Sequence, residues 1–193
     1  MKREYHRRNL PHLYYDEGIY FITYNPANSI PSEAIKKLKE ESTNIQDERK
    51  QYLFIKYDTL LHSANSGVNY LSNPEIANIS KQTINYPVGK NYKLICYTIM
   101  PNHIHLVFDL LKDNKGISKI MQSIKRISSR RSNLFLKREG KFWQDESFDR
   151  LVRNDVELYF TIKYVLMNPV DAGLTKDWKD WEFSFCDKNY LVI

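Results

Sequence analysis

The chain has 193 residues, 42% of them hydrophobic and 27% charged, with 29 Lys and Arg against 23 Asp and Glu for a net charge of +6. That length suits one domain with a core of its own, and 13% aromatic content excludes an intrinsically disordered chain. The two cysteines, Cys96 and Cys186, are too far apart for a zinc finger or a disulfide scaffold, the opening MKREYHRRNL lacks a signal peptide's apolar stretch, and no apolar run approaches the ~20 residues that span a bilayer, so a cytoplasmic protein with no membrane partner is expected.

The basic start, with Lys2, Arg3, Arg7 and Arg8 against Glu4 alone, is followed by GIYFITY at Gly18 to Tyr24, whose aromatic and β-branched residues predict a strand closed by Asn25 and Pro26. Ser32 after Pro31 caps a long polar helix expected to run to about His62 as a solvated insertion. Asn73-Pro74-Glu75 predicts a second helix start, with Pro at the first helical position and an end before Pro87 and Gly89. The predicted helical insertion as a whole occupies about residues 32–90.

Two strands are then predicted, Lys93 to Ile99 and His103 to Phe108, joined by the turn residues Met100-Pro101-Asn102. A helix follows from about Ile117 to Lys137, bounded by Gly116 and Gly140, with Ile117, Ile120, Met121 and Ile124 on one face. Ser147 to Val152 fits a further strand. Asn154 opens the last main helix, with Glu157 three residues on as in a capping box, and Pro169 is expected to stop it. Without internal repeats or a low-complexity linker, residues 1–193 are expected to form one α+β domain.

The charge is regional. Residues 1–13 carry +3 and residues 112–153 carry +7, leaving the remainder at −4, as an electrostatic footprint for a polyanion requires. At 100° per residue, Lys119, Arg126, Arg130 and Lys137 fall within about 20° of one line on their helix. No acid interleaves them before Glu139, which favours contact with a phosphate backbone over an ordinary solvated face.

Two further clusters carry chemistry. His103 and His105 stand at i, i+2, so on a strand their imidazoles share one face and can meet at one metal ion. On the last helix Glu157, Thr161, Tyr164 and Asn168 share a stripe. A phenol with a free pKa near 10 is a poor nucleophile unless a positive charge assists it, and an ion held by the two histidines, with the Asn168 oxygen completing the ligands, would provide that beside a phosphodiester. Imidazole with a neutral oxygen suits Mg²⁺ or Mn²⁺ better than a closed zinc site. Neither Asn102 nor Leu106 offers a further ligand in this reading.

These residues stand in blocks, YTIMPNHIHLVF at Tyr97, FWQDESFDRLVR at Phe142 and KYVLMNPVDAGL at Lys163, preceded by HRRNLPHLYYDEGIYFITY at His6, that resemble the REP-associated tyrosine transposases of the HUH single-tyrosine superfamily. The resemblance covers nearly the whole chain. It implies a central antiparallel sheet with helices packed on it, similar to a ferredoxin-like or RNA-recognition-motif arrangement. It further implies that His103, His105 and Asn168 are metal ligands, that Tyr164 is the nucleophile, and that the substrate is single-stranded DNA with imperfect palindromic hairpins, nicked to leave a 5′-phosphotyrosine and a free 3′-OH. The basic block with Arg3, Arg7 and Arg8 and the helix with Lys119, Arg126, Arg130 and Lys137 are then expected to hold the DNA. Asp171 departs from the family pattern, which has a basic residue there. Three alternatives remain open at this level: a catalytically silent or domesticated regulator that binds structured nucleic acid, an RNA-recognition module, and a phosphodiesterase using water. The absence of an RNP-type aromatic block from LICYTI and HIHLVF counts against the RNA-recognition module. Both a monomer and a homodimer are compatible with the sequence.

Overall fold

Alternation of side chains along Gly18–Tyr24 decides the architecture. Tyr20, Ile22 and Tyr24 enter one buried cluster while Phe21 enters another, so both faces of this strand are covered. The computed structural model describes residues 3–7, 11–30, 33–34, 36–37, 40, 56–61, 68–145 and 147–191. Its strands are β1 (Arg3–Arg7), β2 (Pro11–Tyr15), β3 (Gly18–Tyr24), β4 (Tyr92–Ile99), β5 (Ile104–Leu110), β6 (Phe148–Val152) and β7 (Ser184–Cys186). The main helices are α1 (Pro74–Asn85), α2 (Ile117–Phe135) and α3 (Asp155–Asp171).

β3 to β7 form one antiparallel sheet in the order β6-β3-β5-β4-β7, with β5 at its centre. Ile104, Leu106, Phe108 and Leu110 of β5 face a cluster that includes Ile76 and Ile84 of α1 and Ile117, Ile120, Met121 and Ile124 of α2. Val107 faces the other way, toward Leu158, Ile162, Val165 and Leu166 of α3. Full burial of each such side chain contributes about 1.5–3 kcal/mol. The expected antiparallel sheet with helices packed on it is therefore the fold, with the helices divided between its two faces. No helix among the described residues is long and apolar enough to cross a membrane.

Local signals read from the sequence mostly hold. The Asn73 side chain accepts from Glu75 N–H at 2.9 Å and Asn154 from Glu157 N–H at 2.8 Å, each capping the helix that follows. Gly116, with φ of 81°, supplies the backbone turn that opens α2.

The basic N-terminal block forms a β-hairpin, β1 paired with β2. Three readings need correction. α2 ends at Phe135, and Lys137, with φ of 50°, lies beyond it. Pro169 lies within α3 instead of stopping it. Its ring costs one hydrogen bond near the helix end, while Val165 and Leu166 pack on the sheet and Asn168 and Pro169 itself are buried. Of the long polar helix, residues 33–34, 36–37, 40 and 56–61 are helical, and the rest of the 32–62 span lies outside the described residues. The 56–61 segment is not a solvated arm: Tyr57 and Leu61 are buried, with Ile30 and Phe148 as their packing partners.

Candidate metal and tyrosine site

The central strand brings the two histidines to the α3 face. His105 lies opposite Thr23 of β3 and Thr98 of β4 in register, and it is fully buried. His103 precedes the first residue of β5, held by its carbonyl's bond to Met100 N–H at 2.9 Å, yet keeps the same facing. Their Nε2 atoms stand 3.1 Å apart.

Both rings are fixed from behind. The Asn102 amide donates from Nδ2 to the Leu61 carbonyl at 2.7 Å, which turns its Oδ1 toward Nδ1 of His103, also at 2.7 Å. Nδ1 must then carry the proton, and Nε2 of His103 presents a lone pair. Nδ1 of His105 pairs with the Thr23 hydroxyl at 2.8 Å. Partners of this kind on the far ring nitrogen are what orient metal-binding histidines. Asn102, dismissed as a ligand from the sequence, instead sets the tautomer of its neighbour.

α3 supplies the phenol. The Tyr164 hydroxyl lies 3.3 Å from Nε2 of His105, and its ring packs edge-on to both His105 and Phe21. Burial raises the Tyr164 pKa above its ordinary value, and the Asp58 carboxylate, which accepts a hydrogen bond from the hydroxyl, raises it further. A hydrogen bond from the Asn168 amide acts in the opposite direction, while the charge of Asp171 adds to the rise. Asn168 is 2% exposed, and its Oδ1 is buried without a hydrogen-bond partner among the described residues. An orphaned hard oxygen on the helix that carries Tyr164, together with two imidazole Nε2 atoms 3.1 Å apart, fits a divalent cation.

Asp58 is the residue that sequence reasoning missed. Its carboxylate Oδ1 lies 3.7 Å from Nε2 of His105, and Asp58, His103 and His105 can each offer a ligand atom within 4.8 Å of the others. The only hint in the sequence is Phe54, Tyr57 and Leu61 at helical spacing, which marks one face of the segment for burial. Of the other stripe residues, Glu157 pairs with Arg150 at 3.3 Å and accepts from Arg153 N–H at 2.8 Å, and the Thr161 hydroxyl donates to the Glu157 carbonyl at 2.7 Å. Both therefore serve the start of α3.

The expected DNA-contacting residues are not gathered at this site. Lys119, Arg126, Arg130 and Lys137 are exposed, but α2 packs on the opposite face of the sheet from α3. Arg3 and Arg7 lie on β1, and Arg8 lies outside the described residues.

A central antiparallel strand with a His-x-His pair, faced by a helix bearing Tyr and Asn one turn apart, is the arrangement of the HUH single-tyrosine class. The chain belongs to the IS200-like transposase family, whose model matches residues 68–167. It is similar to a REP-associated tyrosine transposase of Escherichia coli K12, 21% identical over 143 residues that cover 74% of this chain and 72% of that protein. It is also similar to a Haemophilus influenzae protein carrying the same designation, 28% identical over 120 residues, or 57% of this chain and 66% of that protein's length. Among solved structures, a REP-associated tyrosine transposase bound to a REP hairpin superposes with a TM-score of 0.55 at 19% identity, covering 94% of this chain and 81% of that one, and so shares the fold.

Proposed function

We propose that this protein is a metal-dependent single-stranded DNA endonuclease and strand transferase, a transposase that nicks beside imperfect palindromic hairpins through a 5′-phosphotyrosine at Tyr164. The observation that carries the proposal is the placement of the Tyr164 hydroxyl 3.3 Å from His105 Nε2, which itself lies 3.1 Å from His103 Nε2. Residues 1–193 are read as one such domain, acting on DNA in the cytoplasm.

His103, His105 and Asn168 would hold the ion, Mg²⁺ or Mn²⁺ by the hardness of the oxygen donor. Such an ion, when bound, supplies Lewis-acid polarisation of a phosphoryl oxygen and positive charge beside a reluctant phenol. Tyr164 Oη attacks the scissile phosphorus and gives up its proton. The P–O3′ bond breaks, and the 3′ oxygen leaves as a hydroxyl, taking up a proton. The phosphodiester is exchanged for a phosphotyrosine ester, so a 3′-OH can reverse the step without an external energy source. Thr23 and Asn102 keep the imidazoles in place throughout.

The hairpin partner is supported by the hairpin-bound relative in the same fold. Because α2 lies across the sheet from Tyr164, its cationic line is suited to flanking DNA rather than to the phosphate being cut. A monomer is sufficient for chemistry on this reading, since histidines and tyrosine meet within one chain. The test is incubation with Mg²⁺ or Mn²⁺ and a labelled single-stranded hairpin oligonucleotide, followed by denaturing electrophoresis. An adduct that survives denaturation is expected. Cleavage without an adduct would indicate water as the nucleophile, and binding without cleavage a silent regulator; either result would overturn the proposal.

A further inference from the structure

We infer that the helical segment 56–61 is a working part of the metal centre: Asp58 is a carboxylate ligand of the ion held by His103 and His105, and ion binding is linked to docking of this segment on the sheet. The inference rests on the metal-dependent reading above.

Three contacts argue for it. First, the two histidine Nε2 atoms are 3.1 Å apart. Neighbouring ligand positions on an octahedral ion with bonds of about 2.1–2.2 Å lie about 3 Å apart, so the pair is already spaced for one cation. Second, Asp58 Oδ1 approaches His105 Nε2 to 3.7 Å, within the reach of the same centre. Two neutral imidazoles and a neutral amide oxygen leave a buried divalent charge uncompensated, and one carboxylate supplies both compensation and the hard oxygen that Mg²⁺ and Mn²⁺ favour.

The third contact concerns Asn102. One amide group binds the Leu61 carbonyl through Nδ2 and the His103 ring through Oδ1. The end of the segment and the orientation of a ligand ring are therefore held by the same side chain. Tyr57 adds a second tie, its hydroxyl donating to Asn25 Oδ1. A segment that offers a ligand only when docked is stabilised in that position by the ion, and its docking raises the affinity for the ion by the same free energy.

The test uses the full chain and Mn²⁺ alone, without DNA. Loss of the free Mn²⁺ paramagnetic resonance signal gives affinity, and hydrogen exchange read by mass spectrometry gives protection of the amides of residues 56–61. In the wild type, Mn²⁺ is expected to bind and to raise that protection. Asp58→Asn should weaken binding about 10- to 100-fold, comparable to losses on disturbing a metal's ligand support, and should abolish the gain in protection. Tyr57→Phe, which leaves every candidate ligand in place, should weaken binding roughly 2- to 10-fold through the lost tie.

Equal affinity and equal protection in Asp58→Asn and the wild type would overturn the inference while leaving the metal-dependent reading intact. Failure of the wild type to bind Mn²⁺ would overturn both. Unchanged affinity in Tyr57→Phe would break the link to docking, even if Asp58→Asn is weakened.

Discussion

The Tyr164 hydroxyl and Nε2 of His105 lie 3.3 Å apart, although 59 residues separate them in the chain. One side chain comes from a helix on the outside of the sheet and the other from its central strand. A candidate nucleophile and a candidate metal ligand from the same chain thus share one small volume.

The role of that hydroxyl can be isolated. Tyr164→Phe removes one oxygen from a half-buried ring and leaves the contact with Phe21 intact. The covalent DNA adduct is expected to disappear, with hairpin affinity changed less than about threefold, since the protein's cations rather than a neutral phenol carry the grip on phosphate. Tyr159→Phe, five positions away on the same helix, should retain the adduct. Gel-shift and denaturing-gel assays on the same oligonucleotide distinguish the two effects.

Removing the ion with EDTA should abolish nicking, and added Mn²⁺ should restore it. Asn102→Ala deletes the group that holds His103 Nδ1 without deleting a candidate ligand. Mn²⁺ affinity should fall about 10- to 100-fold, and calorimetric titration would show it. An unchanged affinity would mean that the His103 tautomer is set elsewhere.

The exposed cations of α2 are testable through salt. Replacing Lys119, Arg126 and Arg130 together with alanine should lower the slope of log K against log salt by about 2 to 3, at roughly 0.7–0.9 per phosphate contact. Adduct formation at saturating DNA should persist, because these residues lie across the sheet from Tyr164. An unaltered slope would exclude this face from the DNA path.

Alkaline stability follows from buried phenols. Burial raises the pKa of Tyr97 from 10.0 to about 12, and that of Tyr24 and Tyr92 further still. The folded chain keeps protons that the unfolded chain releases above about pH 10, so their stabilising contribution is complete below pH 10 and declines as pH rises toward 12. Tyr97 alone accounts for up to about 2–3 kcal/mol of that loss. Urea denaturation between pH 9 and 12 should show the decline, and Tyr97→Phe should flatten it.

The predicted strand at Gly18–Tyr24 matches the observed one, and those at residues 93–99 and 147–152 differ by one residue at their starts. These segments are legible because burial on one or both sides selects β-branched and aromatic residues directly. Pro169 misled because a local rule prices the missing hydrogen bond, whereas the packed face that offsets it lies on other segments. The β1–β2 hairpin was hidden because its strands, REYHR and PHLYY, carry charge and histidine where a buried strand would show an apolar pattern.

The sequence by itself determined the principal strands, the histidine pair at strand spacing and the Tyr-Asn pair one helical turn apart, because each depends on residues a few positions from one another. Only the tertiary structure decided that the two pairs meet, that α2's cations lie on the far face of the sheet, and that Asp58 and Asn102 join the site. Those relationships arise from which faces pack together and from hydrogen bonds across as many as 59 residues, and spacing along a chain carries no record of them.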